Sequence, residues 1–217
     1  MQKRKCIIIA AGEQGVTQIP VAEGDLVMAV DGGLDYCALL GLEPDLVLGD
    51  FDSAGKEQLA RIARWEREDP RRVVRLKPEK DDTDTLAAIR LALGRGYTSF
   101  ALYGATGGRL EHTIANIQCL LFLKRHGAAG YMTDGMGKIF VMEDEELCFP
   151  AFTKGYLSLF SLGKEALGVN IRGMKYELDN ARITNDFPVG ISNEFIGQEA
   201  FVSVGCGQLL GIMSADN

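Results

Sequence analysis

Six carboxylates in the first half of the chain fall into three short clusters: Asp31, then Asp50 and Asp52, then Asp81, Asp82 and Asp84. None has a His or Cys partner at metal-ligand spacing, and hard oxygen donors alone favour Mg²⁺, which commonly carries substrate phosphates as well. Carboxylate clusters facing one crevice would repel each other unless a cation or a strong hydrogen-bond network offset the charge. A second chemistry lies in Gly104-Ala105-Thr106-Gly107-Gly108-Arg109. Amides of a flexible turn running into a helix start can hold an anion, and Arg109 adds a bidentate donor. The same residues have plain structural uses. Asp82 or Thr83 can cap a helix with Asp81 and Asp84 near its positive end, Asp52 or Ser53 can cap another, and the glycines can simply make a tight turn.

Two familiar nucleotide signatures fit poorly. Gly49 to Lys56 has one residue too many between its glycines for a P-loop, and Glu57 stands where Ser or Thr should ligate the metal. Ala10-Ala11-Gly12-Glu13-Gln14-Gly15 is a degenerate dinucleotide fingerprint, with Asp31 at the distance of a ribose ligand. Its first glycine is missing, and Val16 to Pro20 makes a poor helix start. His112 is close enough to the glycine turn to belong to a site, whereas His126 reads as a helix-end cap. Arg61, Arg64 and Arg67 recur at helical spacing as a solvated face, and Trp65 reads as packing.

These residues need elements to position them. Residues 6–11, 25–30, 45–48, 73–76 and 99–103 are short apolar runs that read as buried parallel strands. Between them, 34–40, 54–66 and 83–93 carry helical patterns, and 110–126 is the longest. Strand and helix alternate through about residue 130, which argues for a parallel α/β sheet with helices on both faces. The carboxylates and the glycine turn then gather beyond the carboxyl ends of the strands, where open sheets bind ligands. After about residue 135 short candidate strands take over, at 138–142, 156–162, 169–172, 191–195, 201–204 and 209–213, separated by Gly-rich turns. They suggest an antiparallel sandwich. The acidic run Glu143 to Glu146 marks the boundary, giving domains 1–143 and 144–217.

The composition agrees with this frame. The chain has 217 residues, a formal net charge of −7, 47 % hydrophobic and 24 % charged residues. That composition excludes disordered and collagen-like classes, and the acidic balance disfavours bulk binding to nucleic acid or anionic lipid. The five cysteines are too scattered for a zinc site or a disulfide framework, so a reducing cytoplasm is expected. The apolar run at Cys6 is shorter than a signal-peptide core, and no uncharged stretch approaches the ~20 residues of a membrane span.

Read in order, Asp31-Gly32-Gly33, Pro44-Asp45-Leu46-Val47-Leu48-Gly49-Asp50-Phe51-Asp52-Ser53, Lys80-Asp81-Asp82-Thr83-Asp84, Gly104 to His112, Gly173 to Leu178 and Gly190 to Glu194 resemble the motifs of the thiamin pyrophosphokinase family. The resemblance covers nearly the whole chain. It implies an α/β catalytic domain followed by a β-sandwich, and a homodimer whose active sites lie between subunits. It implies diphosphoryl transfer from ATP to thiamin, with Asp50, Asp52, Asp81, Asp84 and Arg109 as the catalytic set. Asp50, Asp52 and Asp84 would hold Mg²⁺ and the ATP phosphates, with Asp81 supporting them. Asp31, Gly32, Gly33, Thr83, Thr106, Gly107 and Gly108 would approach the nucleotide. Tyr176, Ser192 and Asn193 would help form the thiamin pocket. Some members have Trp where Tyr176 stands, and many bacterial members have Asp where Glu111 stands. Two other readings compete: a nucleotide-dependent Rossmann oxidoreductase using the Gly12 loop and Asp31, and a non-catalytic module that binds thiamin or nucleotide.

Overall fold

A computed structural model describes residues 4–52, 54–77 and 82–215. The chain divides into two compact units, the first ending at Gly135 and the second starting at Met136.

The first unit contains β1 (Cys6–Ile9), β2 (Leu26–Val30), α1 (Gly33–Leu39), β3 (Leu46–Gly49), α2 (Lys56–Glu68), β4 (Val73–Arg75), α3 (Asp84–Gly94), β5 (Ser99–Tyr103), α4 (Leu110–Arg125) and β6 (Ala129–Thr133). Its strands pair in parallel in the order β6-β5-β1-β2-β3-β4. Every residue of β1, β2 and β3 is buried, as expected for strands covered on both faces. Alternate residues Ile7, Ile9, Val27 and Ala29 pack under α1 and α2 through Leu34, Tyr36, Ile62 and Trp65. α3 and α4 pack against each other, and α3 also contacts β1, β2 and β3. β6 was not expected as a separate strand. Only Gly127 and Ala128 separate it from the cap of α4, so no turn-rich linker announces it.

Local signals set the helix ends. Thr83 Oγ1 accepts from the Leu86 amide at 3.2 Å and caps α3, while Asp82 pairs with Arg90 Nη1 at 2.6 Å. α2 starts at Lys56 after Gly55, whose amide donates to Gln58 Oε1 at 2.9 Å. Asp52 therefore does not cap it, and Ser53 lies outside the described residues. His126 closes α4, with Nδ1 at 2.8 Å from the Phe122 carbonyl oxygen and its ring stacked on Phe122.

The second unit comprises β7 (Gly137–Glu143), β8 (Glu146–Phe149), β9 (Tyr156–Ser161), β10 (Glu165–Arg172), β11 (Leu178–Thr184), β12 (Asn193–Glu194), β13 (Ala200–Ser203) and β14 (Gln208–Ser214). These strands pair antiparallel in two rows, β12-β9-β14-β7 and β11-β10-β13-β8. Met142, Phe149, Leu157, Leu159, Val169, Ile171, Val202 and Leu209 share the core that both rows cover. The second unit begins before the boundary expected at 143/144, because β7 pairs with β14 along its whole length from Gly137 to Glu143. Glu143 ends β7 and Glu146 opens β8, so the acidic run spans a turn inside the sandwich.

Candidate active site

The strand order reverses at β1: the chain moves outward through β2, β3 and β4, then returns to the other side with β5 and β6. Such a switch point leaves a crevice at the carboxyl ends of the strands. An open cleft of about 390 Å³ lies there, lined by Ala10 to Gly12 after β1, Asp31 after β2, Thr83 to Thr85 at the start of α3, and the Gly104–Arg109 turn with His112 and Asn116 of α4.

Glycines allow the close approaches that build it. A Cβ on Gly12 would strike the carbonyl oxygens of Gly104 and Thr106, and one on Gly104 would strike the Ala10 carbonyl. The loop after β1 is bonded to the turn, Gly12 N to Gly104 O at 2.7 Å and Glu13 N to Thr106 O at 2.8 Å. Gly104, Gly107 and Gly108 all have positive φ, a region that side chains disfavour. α4 begins beyond this turn without a side-chain cap, so its first amides complete a positive helix end beside the cleft.

This arrangement also accounts for the degenerate fingerprint. A dinucleotide site needs a helix to open after its glycines, and no helix forms between β1 and β2. Gly12 makes room for the turn backbone, and Gly15 makes room for the Asp134 carbonyl. Tyr36 fastens the same loop, its hydroxyl lying 3.1 Å from both the amide nitrogen and the carbonyl oxygen of Val16.

Of the expected nucleotide-site residues, Asp31, Thr83, Asp84 and Thr106 to Arg109 line the cleft together. Gly32 lines a smaller hollow of about 50 Å³ that also reaches Asp31. Gly33 opens α1 against the Ile9 carbonyl, where a Cβ would not fit. Asp50 and Asp52 lie one strand further out, on the loop after β3, where Asp50 Oδ1 accepts from the Asp52 amide at 3.1 Å. Phe51 between them has φ of 60° and is buried, while Asp50 is half-buried and Asp52 exposed. Asp81 lies outside the described residues. Among the described residues no three His, Cys, Asp or Glu side chains form a ready metal cluster. Arg109 is exposed and its Nε lies 2.7 Å from Glu111 Oε1. Glu111's own amide and the Arg109 guanidinium hold that carboxyl below the usual carboxylate range.

In the second unit, Tyr176 and Asn193 are joined by two hydrogen bonds. The Tyr176 amide donates to Asn193 Oδ1 at 2.9 Å, and Asn193 Nδ2 donates to the Tyr176 carbonyl at 2.6 Å. Asn193 is only 3 % exposed, whereas Tyr176 is 62 % exposed. The Ser192 amide donates to Ser158 Oγ at 3.0 Å, and Ser192 has φ of 53°. The three residues expected at a thiamin pocket therefore belong to one bonded neighbourhood at the edge of β9.

Sequence reasoning missed three residues of the first unit's site. Asn116 is a buried amide four positions after His112, a spacing that places both on one helix face. Gly49 adjoins the Asp31 carboxylate, and Glu13 lies against Gly107. The last two have no signal in local periodicity.

A parallel α/β unit with an open cleft at its switch point, followed by an antiparallel sandwich, defines a ligand-binding α/β class with an appended β unit. Residues 20–131 match the family described as thiamin pyrophosphokinase, catalytic domain, and residues 139–209 match thiamin pyrophosphokinase, vitamin B1 binding domain. The chain is 30 % identical over 195 residues to thiamine pyrophosphokinase of Bacillus subtilis (strain 168), covering 89 % of each chain. The crystal structure of thiamine pyrophosphokinase from Bacillus subtilis superposes with a TM-score of 0.86 at 29 % identity, covering 99 % of this chain and all of that one. That of thiamin pyrophosphokinase from Geobacillus thermodenitrificans gives a TM-score of 0.82 at 26 % identity over 98 % of both chains. The chain belongs to the thiamin pyrophosphokinase family of enzymes.

Proposed function

We propose that this enzyme transfers the diphosphoryl group of ATP to the hydroxyl of thiamin, giving thiamin diphosphate and AMP. The observation that carries this reading is the convergence of the Gly104–Arg109 turn, the start of α3 and Asp31 on one cleft, in a chain of this family.

Attack by the hydroxyl oxygen falls on the β-phosphorus, and the bond from that phosphorus to the oxygen bridging the α-phosphate breaks, releasing AMP. The turn amides, the start of α4 at Leu110 and Arg109 offer donors to phosphate oxygens, and their fixed positions favour in-line alignment. Tyr176 provides an exposed aromatic face for the cationic thiamin ring, Asn193 holds its backbone through two hydrogen bonds, and Ser192 is fastened to Ser158 beside them. One aspartate accepts the hydroxyl proton.

The donor set suits Mg²⁺. It consists of hard carboxylate oxygens, and Mg²⁺ needs only one or two of them when phosphates and waters complete its shell. Asp50, Asp52 and Asp84 would hold it, with Asp81 as support. When bound, it neutralises charge developing on the phosphates.

A homodimer working in the cytoplasm completes the reading. Leu110 and Ile114 of α4, next to Arg109, leave large apolar side chains exposed and support a partner there. Among the described residues no helix is long and apolar enough to cross a membrane. Incubation with thiamin, ATP and Mg²⁺ should yield AMP and thiamin diphosphate in equal amounts, and chelation should abolish both. Nucleotide binding without AMP would favour the binding-module reading instead.

A further inference from the structure

We infer that Asn116 is a positioning residue for the nucleotide: its amide holds the phosphate-facing turn in shape through the Ala105 carbonyl. The inference rests on the cleft being the nucleotide site.

Three consecutive carbonyls of the turn each accept one hydrogen bond. Gly104 O accepts from Gly12 N at 2.7 Å, Ala105 O from Asn116 Nδ2 at 2.8 Å, and Thr106 O from Glu13 N at 2.8 Å. The outer two bonds are donated by backbone amides, those of Gly12 and Glu13. The middle one comes from a single side chain eleven positions along the chain, on α4. These bonds engage the turn's carbonyls and none of its amides, which leaves the amide face to an anion.

Helix propensity does not explain Asn at this place, because it is a poor residue for a helix interior and a buried amide is unfavourable without partners. Asn116 is 7 % exposed and Ala105 is 4 % exposed. Ala105 lies between β5 and two positive-φ glycines, where no strand supplies its carbonyl with a donor. The Asn116 amide fills that gap. It also couples the turn to the body of α4, so that Arg109 and the first amides of the helix keep their positions relative to the turn.

The test separates chemistry from shape. Asn116→Asp preserves the outline but replaces the donor with an oxygen facing a carbonyl, whereas Asn116→Gln lengthens the arm and keeps the donor. Steady-state rates in thiamin and in ATP with Mg²⁺ are measured for both, together with direct calorimetric binding of ATP with Mg²⁺. Asn116→Asp is expected to raise the ATP KM and Kd by about tenfold or more, with thiamin KM within about twofold of the parent. Asn116→Gln should lie closer to the parent. A residue with only a structural role would lower the active fraction, hence apparent kcat, and leave both KM values in place. If the Asp variant does not fold, Asn116→Ser, which keeps a donor in less volume, should shift ATP KM in the same direction to a smaller extent. An ATP Kd unchanged in the Asp variant, or in the Ser variant if that is the one that folds, overturns the inference. So does a Gln variant weaker than the Asp variant. Failure of the parent enzyme to form AMP would instead overturn the functional reading, and the binding comparison would still judge Asn116.

Discussion

Gly49 has no side chain where Asp31 needs its carboxylate. A Cβ built on Gly49, the last residue of β3, would overlap Asp31 Oδ1, and Phe51 Cε1 would lie 3.1 Å away. The two residues sit on neighbouring strand ends tied by the Asp31 amide to the Leu48 carbonyl at 2.9 Å. Asp31 itself has φ of 48°, so its position is set by backbone as well as by this space. Gly49→Ala is expected to push the carboxylate out of the cleft and lower turnover by about a hundredfold. Gly94→Ala, where nothing lies within 4 Å of the new methyl, serves as the matched control and should keep full activity. Equal activity in both variants would show that the position of Asp31 is immaterial.

Asp52 is exposed and Asp50 half-buried, and neither belongs to the hydrophobic core, so their loss should be felt in rate and not in folding. Asp50→Asn and Asp52→Asn are each expected to reduce kcat on the order of 10²-fold or more, with thermal midpoints close to the parent. Titration of Mg²⁺ should show a raised requirement in both. Near-parent activity at ordinary Mg²⁺ would remove the loop after β3 from the metal site.

Tyr176 and Asn193 divide two jobs between them. The exposed ring can be removed without leaving a cavity, so Tyr176→Ala should raise thiamin KM about tenfold while leaving stability and ATP KM unchanged. Asn193→Ala removes both bonds to the Tyr176 backbone from a buried site and should destabilise the second unit by about 2–4 kcal/mol. Chemical denaturation of the two variants checks the contrast. Equal losses of stability would mean that the ring is part of the core.

Thiol reactivity follows from burial and, at Cys148, from neighbouring carboxylates. Burial pushes the Cys6 and Cys37 thiols up to about 12 and that of Cys119 up to about 11. Cys148 and Cys206 are exposed, although desolvation and the nearby Glu199 and Glu146 also raise Cys148. Iodoacetamide at pH 8 should label Cys206 first and Cys148 more slowly, with the other three reacting only after unfolding. The folded state holds the buried thiol protons more tightly than the unfolded chain does. Stability should therefore fall as pH rises above about 9, where unfolded thiols ionise, and continue falling to about 12. Denaturation midpoints across that range measure the effect, and a flat profile would contradict it.

What could be read before any coordinates follows from how locally each feature is encoded. Apolar runs such as Cys6-Ile7-Ile8-Ile9 and Leu26-Val27-Met28-Ala29-Val30 announce strands buried on both faces, and the α4 pattern announces a long helix. β11, by contrast, reads Leu-Asp-Asn-Ala-Arg-Ile-Thr, has a single buried residue and lies at a sheet edge, so it has no clear hydrophobic alternation to find. β8 was hidden in the acidic turn that suggested a boundary. The glycine turn was legible because its residue types and order are unusual. Its anchoring by Gly12, Glu13 and Asn116 was not, because bonds between distant segments leave no periodic trace in the sequence. The degenerate fingerprint fits poorly for the same reason: Gly12 and Gly15 are required by the backbones of Gly104 and Asp134.

The central claim is that the bond broken in ATP lies between the α- and β-phosphates. ATP labelled at the β-phosphorus, incubated with thiamin, Mg²⁺ and the enzyme, tests it most directly. All transferred label should appear in thiamin diphosphate and none in AMP. Label retained in ADP, with an unlabelled thiamin monophosphate, would mean transfer of the γ-phosphoryl group alone and would contradict it.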